Sequence, residues 1–255
     1  MPAHITNKKT NRNKGDTTLK KPAKILALVI FLSLMTAGTR QAHANTMLSI
    51  DDGTAFVTIL DNGAGDLDSQ VGFINYSAMP GTFTNFVVVV SLGTTKPLIG
   101  SAEAPYLDLA SVNVTGFGAS ADLLTIKFTD TDFTTPVPSI SGFSSEIGGT
   151  TDGTVTYATY FDNSNAAFGT ATLLSNLGSF SGGAFSGSAF VSLSSLVPAP
   201  TGPYSLTLVT TVANTAGAMK VTSYDANVSS VPEPSTILLL GSGMLGFAFL
   251  RRRKG

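Results

Sequence analysis

The sequence predicts an all-β fold, a single antiparallel β-sandwich of jelly-roll-like outline, over residues 45–230. Three observations predict it. Apolar residues recur at every second position in short runs, the period of a strand with one buried face. No stretch between the two ends of the chain sustains a 3.6-residue period with caps, so no helix is expected there. Clusters of Gly, Asn, Asp and Ser interrupt the runs at intervals of about 10–20 residues, as turns do in sandwiches and barrels. The stretch is long enough to bury one sizeable core.

The first segment, residues 1–44, stands outside that pattern. Lys20, Lys21 and Lys24 precede the largely apolar run 25–37, and Ala42-His43-Ala44 follows it. Thirteen residues span about 20 Å as a helix, short of a hydrocarbon core of about 30 Å. A basic region, a short apolar helix and a small-x-small triplet together describe a secretory signal. Signal peptidase is expected to cut after Ala44, with Ala42 and Ala44 as the small residues it reads.

The strands follow in order. Residues 56–60 form a short apolar run, and residues 71–76 another. Residues 83–91 include Val87 to Val90, which suggests a strand buried on both faces. In 107–115 the apolar set Leu107, Leu109, Val112 and Val114 breaks step near Ala110, as at a β-bulge. Leu124, Ile126 and Phe128 alternate with Thr125, Lys127 and Thr129, which places Lys127 on the solvent side. Val155, Tyr157, Thr159 and Phe161 keep the same period. Runs at 185–193, 204–212 and 219–228 bring the total to nine or ten strands. Pro198, Pro200 and Pro203 mark a loop before the last two. The Ser/Gly-rich stretch 175–188 reads as an edge strand with flexible turns.

Val231-Pro232-Glu233-Pro234-Ser235 opens the last segment, 231–255. Prolines on both sides of Glu233 disfavour helix and keep that stretch extended and accessible. Residues 235–250 carry no charge, and Ser235 can cap a helix behind it. Those sixteen residues give about 24 Å of transmembrane helix, slightly short of a full span. Arg251, Arg252, Arg253 and Lys254 can snorkel to the headgroups and hold the end on the cytoplasmic side. Gly241, Gly243 and Gly246 leave a small-residue surface for close helix contact.

These residues together resemble the PEP-CTERM sorting signal of Gram-negative bacteria: a Pro-Glu-Pro motif, a glycine-interrupted apolar helix and an arginine cluster. The resemblance implies recognition by an exosortase, a transpeptidase-like membrane enzyme. It implies cleavage near residues 232–234 of a precursor anchored in the inner membrane, with delivery of the body to the cell surface or extracellular matrix. It also implies a setting of exopolysaccharide and biofilm. The body resembles a group of PEP-CTERM proteins that share the segment Asp61-Asn-Gly-Ala-Gly-Asp-Leu-Asp68. That likeness continues through residues 97–100, 107–112 and 126–130, and implies surface location and fold more than activity.

Charge and composition then narrow the function. The formal net charge of −1 hides a partition: between the two end segments only Lys96, Lys127 and Lys220 are basic, whereas most of the acids lie there. A nucleic-acid partner would need a basic patch, and this segment has none. Both histidines, His4 and His43, lie in the leader, and there is no cysteine. A Ser-His-Asp triad, a Cys nucleophile and a His-ligated zinc site are therefore not expected in the body. No catalytic residue is assigned.

The strongest site candidate is the loop carrying Asp61, Asp66 and Asp68. Calcium takes several oxygen ligands from a turn that folds back on itself, and the intervening glycines permit one. The spacing is not that of an EF-hand, and Asp-Asn-Gly after a strand is also an ordinary hairpin signal. Asp130-Thr131-Asp132 is a second acidic spot, expected as a solvated strand end. Thr154, Thr156 and Thr159 suggest a threonine ladder, but Val155 and Tyr157 break any flat array and no solenoid period exists, against an ice-binding face. The expected function is a structural or adhesive surface protein associated with exopolysaccharide. The alternative is a carbohydrate-binding module with calcium-organised Asp loops, and a weaker one is a glycan hydrolase working through two carboxylates.

Overall fold

The alternating runs become strands in a computed structural model, which describes residues 45–118, 122–217, 219–233 and Ser242. In chain order they are β1 (Met47–Asp51), β2 (Phe56–Leu60), β3 (Phe73–Ser77), β4 (Phe86–Thr94) and β5 (Tyr106–Gly116), then β6 (Asp122–Phe133), β7 (Ile140–Asp162), β8 (Thr172–Ser192), β9 (Tyr204–Asn214) and β10 (Lys220–Pro232). Every pairing is antiparallel. The hydrogen-bonded order is β2-β1-β6-β9-β7-β10-β5-β4-β3, with β8 on β7.

Strand β7 makes this ladder into a sandwich. Its first part, from Ile140 to Thr151, pairs with β10, and its second, from Thr154 to Asp162, pairs with β9. A strand that leaves one sheet for another at an irregularity is a known way to turn a corner. Here the irregularity falls between Thr151 and Thr154, where the β8 register also shifts. One layer is then β2-β1-β6-β9 and the other β10-β5-β4-β3. The core lies between them, with Leu48, Ile126, Phe128 and Leu208 from the first layer and Val88, Leu107, Val112 and Val228 from the second, all at most 1% exposed. The Thr210 hydroxyl on β9 meets the Tyr224 hydroxyl on β10 across the core, and Tyr157 donates to the Asn227 carbonyl at 2.6 Å. Strands β2 and β3, the two ends of the ladder, approach each other, so the sandwich is nearly closed.

Several expectations need correcting. Strand β1 was not expected, and β7 extends far beyond the predicted run at 155–161. Its interior positions include Ser145, Thr151 and Thr159, whose hydroxyls pair with Thr159, Thr222 and Ser175 rather than presenting apolar groups. Val87 and Val89 are not buried on both faces: Val87 is exposed and Val89 half-buried, because β4 lies near an end of the ladder with only one face on the core. The break near Ala110 is a bulge. Tyr224 pairs with Val112 and Ala226 with Leu109, so two β5 residues oppose Asp225, and Ser111 takes a φ of 54°. The Ser/Gly-rich stretch falls on β8, which pairs with β7 alone.

The last strand continues through Val231 and Pro232, and the Glu233 amide bonds the Ser139 carbonyl. The sheet therefore runs into the Pro-Glu-Pro motif. The leader with Ala42 and Ala44, and the tail from Pro234 and Ser235 through Arg251, Arg252, Arg253 and Lys254 (Ser242 apart), lie outside the described residues. Among the described residues no helix is long and apolar enough to cross a membrane.

Candidate functional site: an acidic groove on the outer face

On the outer face of β5, β10, β7 and β8 the register brings polar residues into rows. Asp108, Asn227, Glu146 and Ser188 stand in one row, each opposite the next. The neighbouring row is Tyr106, Ser229, Ser144 and Phe190. Asp225, Gly148 and Ser186 form the row on the other side. These positions share a face because side chains two apart on a strand point the same way. Glycine at position 148 leaves the floor low. The result is an open groove of about 630 Å³ lined by Glu146, Ile147, Gly148, Ser186, Gly187, Ser188, Asp225 and Asn227. Tyr106 and Phe190, 36% and 56% exposed, stand at opposite ends of their row, about 14 Å apart over three strand spacings.

The groove is electrostatically loaded. Burial, and then the charge of Asp225, push the Asp108 carboxyl above the usual carboxylate range. Burial, Asp108 and Glu146 push the Tyr106 hydroxyl up. The Asp225 carboxylate accepts the Ser111 amide at 2.5 Å, so the β5 bulge fixes its position. Like charges on adjacent strands oppose folding. Their concentration here, with a perturbed carboxyl in the row beside a concave surface, marks a candidate binding site.

In the loop expected to hold calcium, the carboxylates meet backbone amides. Asp61 accepts the Gly72 amide at 2.7 Å. Asp66 accepts the amides of Asn62, Asp68 and Asn75, and Asp68 accepts that of Gln70. The three carboxylates thus cap the backbone of their own turn, the usual work of Asp in such loops. Burial, with the charges of Asp66 and Asp68 adding to it, raises Asp61. Among the described residues no group of three His, Cys, Asp or Glu side chains is arranged to hold a metal ion.

Asp130-Thr131-Asp132 is not a solvated strand end. Asp130 is fully buried and pairs with Lys96 Nζ at 2.7 Å. Lys96, itself 0% exposed, also donates to the Thr131 carbonyl and lies 4.1 Å from the centre of the Phe133 ring. The pair joins the segment after β4 to β6, one from each layer. Burial holds Lys96 below the ordinary lysine range and Asp130 above that of a carboxylate, each offset in part by the other. Asp132 adopts a φ of 61° and turns away to bind Asn165 and Asn45. Burial raises it, but these bonds and that of Thr131 outweigh the effect and hold it below the ordinary value. The three threonines do not form a ladder: Thr159 points into the core, whereas Thr154 and Thr156 meet Ser181 and Thr211.

Residues 230–254 match the PEP-CTERM protein-sorting motif. The motif implies an exported, membrane-anchored precursor that an exosortase processes and sorts to the cell surface. No curated protein matches the chain. Among solved structures, the chain is similar to the carbohydrate-binding module TmCBM61 in complex with beta-1,4-galactotriose, with 7% identity, 59% of this chain and 90% of that one covered, and a TM-score of 0.28. It is similar to the mannan-recognising module TmCBM27, with 10% identity, 64% and 99% covered, and a TM-score of 0.27. The enzymatically active domain of tailspike protein 4 from bacteriophage CBA120 is similar at 10% identity over 75% of this chain and 20% of that one, with a TM-score of 0.32. At such low TM-scores these likenesses bear on neither ligand nor activity.

Proposed function

We propose that this is an adhesive and structural protein of the extracellular polysaccharide matrix of a Gram-negative cell. Signal peptidase releases it after Ala44, and an exosortase acts at the Pro-Glu-Pro motif. The body has no catalytic role and holds polysaccharide in the groove on β5, β10, β7 and β8. The observation that carries this reading is the row Asn227, Glu146 and Ser188 in an open channel, with Asp108 at the end of that row and exposed Tyr106 and Phe190 in the row beside it. Carboxylates and amides are acceptors and donors for sugar hydroxyls, and aromatic faces stack on the apolar faces of sugar rings. An open groove takes the middle of a long chain rather than its end.

The test is a glycan array followed by titration with the matrix polysaccharide of the producing cell. The expected result is binding that Tyr106→Ala or Asn227→Ala weakens about tenfold, the effect of losing one well-placed contact. Binding unaffected by both substitutions refutes the groove. Cleavage of a bound glycan, lost in Asp108→Asn or Glu146→Gln, would replace this reading with the hydrolase.

A further inference from the structure

We infer that cleavage after Ala44 creates an α-ammonium group for which the fold holds a prepared seat, the carboxylate of Asp130, with Asp132 holding the Asn45 side chain beside it. This rests on the cleavage reading given above. The nitrogen that cleavage would free is that of Asn45, and in the folded chain it lies 3.1 Å from Asp130 Oδ1. The Asn45 side chain is fixed on the same cluster, donating to Thr131 Oγ1 at 3.2 Å and to Asp132 Oδ2 at 2.9 Å. The next residue leaves no slack. Thr46 is 1% exposed, its carbonyl accepts the Asp61 amide, and β1 begins at Met47.

Charge points the same way. Asp130 and Asp132 bring two negative charges, and Lys96 answers one of them. Asp162, at the end of β7 nearby in the chain to Asn165, is engaged by Ser164. Among the described residues the cluster is therefore one positive charge short while Asn45 is a peptide amide. Hydrolysis of the Ala44–Asn45 bond adds water across it: the carboxylate leaves with the leader, and Asn45 keeps a protonated amine. That amine supplies the missing charge at the nitrogen already in place. Asn45 itself is exposed, so the ammonium keeps part of its hydration while it gains an opposite charge, and the fold of the body tightens once the leader is removed.

The test uses protein made with its own leader and recovered after export. One form is wild type. The other has Asn-Ser inserted between Ala44 and Asn45, so that cleavage leaves an asparagine amine displaced by two residues. Intact mass fixes the first residue of each. The α-amine is then acylated with limiting reagent near neutral pH and its rate read by peptide mass. The wild-type amine should react about tenfold more slowly, as it would if the carboxylates raised its pKa by about one unit. The wild type should also melt at a higher temperature than the inserted form near pH 6. A raised amine pKa gives stability that is complete below the unfolded value of about 8 and is lost as pH rises through the folded value, so this gap should close in alkali. A chain that begins at Asn45 but shows equal reactivity and equal melting overturns the seat alone. A mature chain that begins elsewhere overturns the cleavage reading and the seat together.

Discussion

Replacing Lys96 with methionine isolates the buried ion pair, because methionine keeps most of the length and loses only the charge. In the wild type the ammonium bonds Asp130 and the Thr131 carbonyl with no access to water. Removing one partner of such a pair leaves an uncompensated charge in the interior and costs about 3–5 kcal/mol. In the chain before cleavage, where Asn45 is still a peptide amide, Asp130 would keep three donors, the Asn45 amide, the Thr95 hydroxyl and the Thr131 amide. These place the expectation at the lower end, about 3 kcal/mol, or a melting temperature lower by about 6–12 °C for a domain of this size. The deficit should depend on pH. Burial already raises Asp130, and without Lys96 it rises further. A carboxyl raised in the folded state stabilises below its unfolded pKa of about 3.9 and loses that contribution as pH rises through the folded value. The variant should therefore approach the wild type near pH 4 and fall furthest behind near pH 7. Urea denaturation at both pH values checks this, and the double variant Lys96→Met with Asp130→Asn should recover part of the loss. A deficit below about 1 kcal/mol at neutral pH, or one equal at both pH values, refutes the reasoning.

Three further outcomes follow from the same geometry. Gly72 holds a φ of 82°, and a Cβ there would lie 2.5 Å from the Lys96 carbonyl oxygen. Gly72→Ala should cost about 2 kcal/mol or more, read by denaturant titration. Asp108→Asn should raise the melting temperature slightly at neutral pH, by at most about 1 kcal/mol of stability, because it relieves a raised carboxyl beside Asp225. The gain should vanish in acid, where the wild-type group is protonated, and polysaccharide binding should weaken. Millimolar calcium or a chelator should leave the thermal melt unchanged, since backbone amides already engage Asp61, Asp66 and Asp68; a shift of several degrees would restore the cation reading.

The alternation of Leu124, Ile126 and Phe128 or of Tyr204, Leu206 and Leu208 made β6 and β9 legible, because hydrophobic burial on one face imposes the period directly. Strand β7 was legible only over 155–161, because its first part has no unbroken apolar alternation and places hydroxyls at buried positions. Ser145 and Thr151 read as polar in sequence and become core residues only when Thr159 and Thr222 arrive to satisfy them. Lys96 gave no local sign of burial, since its partner lies on β6 and the apolar environment comes from Phe133. Residues of the groove and its flanking rows, such as Asn227, Asp108 and Tyr106, fell on or beside predicted strands. Their assembly depends on the order β5-β10-β7-β8, which no periodicity reveals. The Pro-Glu-Pro motif was legible because its match is one of local sequence, over residues 230–254.

Strand β10 has β5 on one side and β7 on the other, and it enters the sorting motif without a spacer. Any tether at that end tugs along the axis of an interior strand. Ladder bonds run across the strand direction, so such a load falls on both rows in shear and must slide them together, instead of unzipping a margin bond by bond.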